Sequence, residues 1–365
     1  MSDGERKLAT IRRIEEVAEI EGADAICAYR VGGWWVVGKK GEFSVDDFAV
    51  YFELDSWIPT EIAEFLSKGK EPKVYNGIRG ERLRTVRLRK QLSQGLLLPL
   101  DILGDVDGSS YYKASIPPNR WEVYGLSVNH EDGADCTEYL GIQKWEAPIN
   151  AQLAGMARGN FPSFIKKTDE ERIQNIGAEI RNAFERGDVF EMSMKLDGSS
   201  CTAYYNNGTL GVCSRNIDLK LDQEGNAFVD ICTSTGLLEA LLIYGRNLAV
   251  QGELMGGGIQ GNREKFDKHE FFVFKVWDID AQVYLSPDER MIALYNLESH
   301  GFKMKHVPII NPEFKLPSDK ISDLLSLADG PSINNKIREG IVLKRHDGLF
   351  SFKIISNQFL LKEGD

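Results

Sequence analysis

Apolar and polar residues alternate in short, strand-length blocks through the first hundred positions of the chain. Trp34-Trp35-Val36-Val37-Gly38 and Asp47-Phe48-Ala49-Val50-Tyr51-Phe52 are aromatic and β-branched runs bounded by Gly33, Gly41 and Pro59, which predicts strands. Leu96-Leu97-Leu98-Pro99-Leu100 is a further apolar run, closed by Asp101. Several short strands at this spacing predict a small β-barrel over residues 1–115, of which the oligonucleotide-binding (OB) fold is one type. One short helix is expected from Pro59 to Lys68 with Thr60 as its cap. Periodicity fades from about 111 to 165, where Pro117-Pro118 and Glu131-Asp132-Gly133-Ala134-Asp135 predict a linker over 116–160. Thr168-Asp169-Glu170-Glu171 then reads as a capping box opening a helix that runs towards Arg186 and stops at Gly187. Strands and helices mix from there to the end, giving an α+β chain with a second domain over 161–365.

Composition narrows the class. The 365 residues are 42% hydrophobic and 27% charged, as in ordinary globular proteins, and long enough for two cores. No uninterrupted apolar stretch approaches membrane-spanning length. The polar start Met1-Ser2-Asp3-Gly4-Glu5-Arg6-Lys7 lacks a signal core, so a cytoplasmic, reducing location is expected. Cys27, Cys136, Cys201, Cys213 and Cys232 form no CxxC pair, which points to free thiols. The five histidines are scattered and none has metal-ligand spacing to another.

A net charge of −11 speaks against indiscriminate nucleic-acid binding. One segment runs against it: Arg79-Gly80-Glu81-Arg82-Leu83-Arg84-Thr85-Val86-Arg87-Leu88-Arg89-Lys90 carries six cations and one anion. As a strand it would set Arg82 and Arg84 on one face and Leu83 and Thr85 on the other. Such cations either protect a solvated sheet edge or meet a phosphate backbone. Arg82, Arg84, Arg87 and Arg89 are therefore the nucleic-acid candidates.

The sharpest chemistry lies mid-chain. Val189-Phe190-Glu191-Met192-Ser193-Met194 predicts a strand, and Lys195-Leu196-Asp197-Gly198-Ser199-Ser200 follows at its end. A hairpin turn would use the same Asp-Gly-Ser-Ser residues. A lysine amine is a nucleophile only when unprotonated, and burial or neighbouring cations lower its pKa. Asp197 would then orient the amine or reach a metal, and Gly198 would allow backbone close to a phosphate. Further segments follow in a chemically ordered series. Val212-Cys213-Ser214-Arg215-Asn216 brings a guanidinium, and Glu253 precedes the glycine-rich run Gly256-Gly257-Gly258-Ile259-Gln260-Gly261. Phe271-Phe272-Val273-Phe274-Lys275-Val276-Trp277-Asp278 is an aromatic strand able to stack a purine, although a stripe of this kind is ordinarily core. Glu339 stands at a strand start, where a carboxylate suits a hard divalent ion, and Lys353 comes late enough to neutralise an α-phosphate.

In this order the segments resemble the ATP-dependent RNA ligases over nearly the whole chain. Lys195-Leu196-Asp197-Gly198 resembles motif I, Ser214-Arg215-Asn216 motif Ia, and Gly252-Glu253-Leu254 motif III. Phe271 to Val276 resembles motif IIIa, Glu339-Gly340-Ile341-Val342-Leu343-Lys344 motif IV, and Phe352-Lys353 motif V. Gly41-Glu42-Phe43, Val50 to Ser56 and Leu92 to Leu100 resemble the branch in which an OB domain comes first. Only 12 residues follow Lys353, too few for a barrel, which sets the chain apart from DNA ligases and capping enzymes, where the OB domain follows motif V.

The resemblance implies an N-terminal OB barrel followed by a nucleotidyltransferase domain of antiparallel sheets flanked by helices. It also implies a three-step ligase. Neutral Lys195 would attack ATP to form lysyl-AMP, the AMP would pass to an RNA 5′-phosphate, and a 3′-hydroxyl would displace it. Lys195, Asp197, Glu253, Glu339 and Lys353 would be catalytic. Met194, Gly198, Arg215 and Phe274 would join Lys195, Glu253, Glu339 and Lys353 around the nucleotide, and Glu339 with Asp197 would hold Mg2+ or Mn2+. The expected partner is a nicked RNA or RNA/DNA duplex, bound by a monomer away from membranes. One position departs from the family. Motif V often reads Lys-x-Lys, whereas Ile355 stands second here, leaving Lys344 or Lys362 as candidates for the missing contact. Another covalent nucleotidyltransferase, or a non-catalytic relative, is the competing reading.

Overall fold

A computed structural model describes residues 7–89, 91–103, 132–145, 155–222 and 224–363. Lys90, Pro117-Pro118 and Glu131 lie outside them. The chain divides into two compact units, Met1–Pro148 with Leu361–Asp365, and Ile149–Leu360.

The first unit is built from short strands. In chain order they are β1 (Ala9–Arg13), β2 (Glu16–Glu19), β3 (Ile26–Val31), β4 (Trp34–Lys39), β5 (Phe48–Phe52) and β6 (Ser56–Pro59). There follow β7 (Lys73–Tyr75), β8 (Ile78–Arg82), β9 (Val86–Leu88), β10 (Gln91–Ser93), β11 (Leu96–Leu98) and β12 (Gln143–Lys144). They form four antiparallel sheets, ordered β1-β5-β11, β2-β3-β4, β12-β6-β8-β7 and β10-β9. Alternate residues of β5 serve two cores: Val50 and Phe52 pack with Leu8, Ile11 and Ile58, while Ala49 and Tyr51 pack with Tyr29, Trp34 and Val36.

Two expectations for this unit change. The helix proposed for Pro59–Lys68 is only a 3-10 turn, Glu64–Ser67, because Pro59 still belongs to β6, where it pairs with Gly80, and Thr60 does not cap. The expected linker 116–160 is also partly core. Cys136, Leu140 and Ile142 are buried with Val50 and Phe52, and β12 pairs with β6, so apolar side chains at irregular spacing still find a packed surface.

The second unit faces a seven-stranded sheet with a five-stranded one. Its strands are β13 (Ala157–Asn160), β14 (Glu171–Arg172), β15 (Val189–Lys195), β16 (Ser199–Asn206), β17 (Thr209–Cys213) and β18 (Ile217–Leu219). They continue with β19 (Leu248–Met255), β20 (Glu270–Asp278), β21 (Val283–Tyr284), β22 (Ile309–Lys315), β23 (Gly340–Arg345) and β24 (Ser351–Ile355). The orders are β13-β18-β17-β16-β19-β20-β21 and β14-β24-β23-β15-β22, antiparallel throughout except β14 with β24. Helices α1 (Gly177–Arg186), α2 (Ala227–Ser234), α3 (Leu237–Tyr244) and α4 (Pro287–Ser299) flank them, followed by α5 (Ile321–Leu324) and α6 (Asn357–Glu363). Among the described residues no single helix is long and apolar enough to cross a membrane. All five cysteines are free and buried.

The helix expected from Thr168 starts later, at Gly177. The Glu171 carboxylate accepts from the Asn175 side chain at 2.7 Å instead of closing a capping box, and Glu171-Arg172 pairs with Phe352-Lys353 as β14. Its end is as expected: Gly187 takes φ 68° and its amide bonds back to Ala183 and Phe184, a conformation that favours glycine.

Candidate active site

The alternation of β15 decides what the site contains. Phe190 and Met192 enter a core with Ile180, Leu343 and Phe352, so Glu191, Ser193 and Lys195 must project from the opposite face. Register carries this face across the sheet in three rows: Lys195–Gly340–Ile355, Ser193–Val342–Lys353 and Glu191–Lys344–Ser351. Gly340 has no side chain, and a Cβ there would lie 2.2 Å from the Ile354 carbonyl. The first row therefore has no side chain between Lys195 and Ile355.

Glu339 meets the Lys195 tip. Its two carboxylate oxygens each lie 2.7 Å from Lys195 Nζ. It is held from behind: its carbonyl accepts from Ser356 N at 2.9 Å, and Arg338 donates to the carbonyls of Leu327, Ala328 and Asp329 at 2.7–2.9 Å. Glu253 reaches in from β19, accepting from Gly198 N at 3.0 Å. Gly198 is required here by crowding. A Cβ would meet the Leu254 carbonyl at 2.4 Å and Glu253 Cγ at 2.9 Å, so the backbone here packs tightly on β19. Asp197 lies 3.5 Å from Arg263 Nη1.

Three acidic side chains thus surround one ammonium. Burial, the largest single influence, favours the neutral amine, but Glu339, Glu253 and Asp197 outweigh it and hold the Lys195 pKa above its ordinary value. The expectation of a neutral lysine is therefore corrected for the protein by itself: the amine is charged at neutral pH. Glu253 moves the other way. Burial, reinforced by Glu339 and Asp197 and opposed by Lys195, pushes it up to about 8, so it carries a proton at neutral pH.

Beside this polar floor is an apolar wall. Leu196, Met255, Phe272 and Val307 are buried, and Met194, Phe266, Phe274 and Ile333 pack on them half-exposed. The aromatic stripe of β20 is therefore mostly core, with Phe274 one of the rings left partly open.

The remaining expected residues are more dispersed. Lys353 is half-buried one row from Lys195 and pairs in register with both Val342 and Arg172. Arg215 is exposed and lies 3.3 Å from Asp169. Ile355 is buried beside Gly340. Lys344 cannot replace a phosphate-binding lysine at that position, because it is buried, donates to the Phe274 carbonyl at 2.8 Å and faces Glu191. Lys362 is exposed on α6.

In the first unit, the basic segment follows the expected alternation, with Leu83 and Thr85 buried. Its arginines nonetheless differ. Arg82 pairs with Asp55 at 2.6 Å and stacks 3.9 Å from the Trp145 ring, while Arg84, Arg87 and Arg89 are exposed. Sequence reasoning passed over Arg263 and the buried charges Glu170, Lys275, Glu191 and Arg290. Only the Gly256–Gly261 turn run hinted at the first. The others look like ordinary surface residues until the strands are paired.

A divalent cation suits this floor. Glu339 and Asp197 offer anionic oxygens beside Lys195, and no group of three metal-binding side chains exists among the described residues. Hard ions that keep several waters use just one or two carboxylates.

Comparison with known proteins is consistent over the whole chain. An OB-fold domain family model matches residues 8–100, and the RNA ligase family model matches residues 188–355. No curated protein matches. Among solved structures, a variant of the Naegleria gruberi RNA ligase in its apo form superposes with TM-score 0.85 at 43% identity, covering 98% of each chain. Another variant of that ligase, with ATP and Mn, gives 0.83 at 44% identity over 97% of this chain and 98% of that one. The ligase with PPi gives 0.84 at 44% identity over 99% of this chain and 100% of that one. With an OB-fold domain ahead of a nucleotidyltransferase domain, the chain belongs to the RNA ligase family.

Proposed function

We propose that this RNA ligase uses ATP and seals 5′-phosphate to 3′-hydroxyl ends at nicks in duplexes with an RNA 3′-hydroxyl strand. The observation that carries the reading is Lys195 clamped by Glu339 at 2.7 Å beside the half-open Phe274 wall. ATP places its adenine on that wall, and Glu253, which carries a proton at neutral pH, can hydrogen-bond ribose hydroxyls. Lys195 Nζ bonds to the α-phosphorus while the bond to the bridging oxygen breaks, so pyrophosphate leaves with the electron pair. Glu339 is the nearest acceptor for the departing Nζ proton. Glu339 and Asp197 would hold Mg2+ or Mn2+, which supplies charge neutralisation for the α-phosphate and lowers the anionic pull on the lysine. Lys353 assists at the phosphate. AMP then passes to the RNA 5′-phosphate, with Arg215 positioning that end, and the 3′-hydroxyl displaces it. Exposed Arg84, Arg87 and Arg89 contact the phosphate backbone, and the enzyme acts as a monomer.

The experiment is labelling with ATP carrying a radioactive α-phosphate plus manganese, followed by sealing of RNA, DNA and hybrid nicks. Wild type should acquire label and Lys195→Ala should not. Equal labelling of that variant would remove Lys195 as nucleophile. Failure to join any nick bearing an RNA 3′-hydroxyl would reject the nick-sealing reading.

A further inference from the structure

Ile355 leaves the nucleophile's row with an apolar side chain where charge is needed at a phosphate. A second cation does approach the site, from the opposite sheet's loop. Arg263 places Nη1 3.5 Å from Asp197, with its guanidinium carbon 4.2 Å from the Phe359 ring centre. A separation of 3.5 Å is long for a charged pair, so a phosphate oxygen could compete for this guanidinium. Its side chain is 24% exposed beside Asp197.

The loop is built to present it. Gln260, Gly261, Asn262 and Lys265 all have positive φ, three of them residues for which this is uncommon. The backbone is pinned: the Arg263 carbonyl accepts from Asn335 at 3.3 Å, Glu264 accepts from Asn334 N at 2.6 Å, and Asn262 bonds the Phe266 amide and carbonyl. A strained turn fastened at both ends thus carries one long cation to the motif I carboxylate.

We infer that Arg263 contacts the α-phosphate of ATP during lysine adenylylation, supplying the positive charge that Ile355 does not. The inference rests on the site reading above. In the protein without nucleotide Asp197 holds the guanidinium. When ATP binds, the guanidinium turns to the phosphate whose bond to Nζ is forming, while Phe359 keeps its plane.

The test uses full-length Arg263→Ala, Arg263→Lys, Ile355→Lys and the double variant Arg263→Ala with Ile355→Lys. Adenylylation rates are measured at saturating ATP, and melting temperatures alongside. Arg263→Ala should slow labelling by roughly ten- to a hundredfold, the range for losing a hydrogen bond to a charged group. Arg263→Lys should lose less. The double variant should recover much of the loss, because lysine at 355 can reach across Gly340. A purely structural arginine would not be rescued in this way. Wild-type labelling by Arg263→Ala, or no recovery in a folded double variant, overturns the inference. Should Arg263→Ala unfold, Arg263→Gln, which keeps most of the length over Phe359, is judged by the same rate and the same rescue. Lys195→Ala is the control: if it labels, the site reading fails, and if only Arg263→Ala is unimpaired, only this inference fails.

Discussion

The inner face of the five-stranded sheet carries a lysine near a glutamate at each end, and the two ends behave oppositely. Lys195 and Glu339 sit where the strands open, with side chains 27% and 14% exposed. Four residues deeper, Lys344 and Glu191 are 7% and 5% exposed, joined by Arg290 at 1%. At the open end the neighbouring acidic groups, Glu339 foremost, hold the lysine charged. At the sealed end burial, helped by Arg290 and Lys275, pushes Lys344 down to about 7 against Glu191 and Glu170. Glu170 pairs with Lys275 and accepts from Ser351, while Glu191 Oε1 and Arg290 Nε stay buried without a hydrogen-bond partner. His306 is pushed down to about 4, chiefly by burial. Identical residue types therefore make a partly open charged pair at one end and a buried charge network at the other.

The contrast can be broken at either end. Glu339→Ala should have the largest effect, a loss of adenylylation of at least about a hundredfold with the melting temperature nearly kept. Labelling at the wild-type rate would show the open end to be a brace as well. At the sealed end, Arg290→Met should destabilise the fold by about 3–5 kcal/mol in urea unfolding, since Glu191 is left buried without its 2.5 Å partner. The molecules that stay folded should label at close to the normal rate. A selective loss of labelling would instead tie the deep network to the chemistry.

A smaller effect concerns Glu253. Its carboxyl stays protonated in the native state up to about 8, whereas an unfolded one ionises near its ordinary 4.5. A raised native pKa stabilises below the unfolded value and loses that contribution as pH rises through the native one. Glu253→Gln should therefore gain melting temperature over wild type progressively between pH 5 and 8, and the gap should level off above. A constant gap would mean that Glu253 is ionised throughout. The mildest change expected is for Arg84, Arg87 and Arg89 replaced together by alanine. Nick binding should weaken several-fold, and its log–log salt slope should flatten by about 0.7–0.9 per lost phosphate contact. Arg82→Ala should act mainly on stability, through Asp55 and Trp145. An unchanged slope would return the segment to a solvated edge.

Local order made much of this legible from residues alone. The strand ending at Lys195, the stop at Gly187, the alternation of Leu83 and Thr85, and the order of motifs all depend on neighbours a few positions away. The family was readable for the same reason, because ordered spacing survives without knowledge of the packing. What failed were segments whose local signal was overridden: Pro59 held in β6, Glu171 drawn beside β24, and Cys136, Leu140 and Ile142 collected into a core. Charge states and pairings over long separations belong only to the tertiary structure. Glu339 is 144 residues from Lys195 and Arg263 is 66 from Asp197. No local pattern states which carboxylates will gather at one amine, how deeply they will be buried, or that Arg82 will be spent on Asp55 while Arg87 stays in water. Electrostatic energies depend on distance and desolvation, and both are set only when the strands pair.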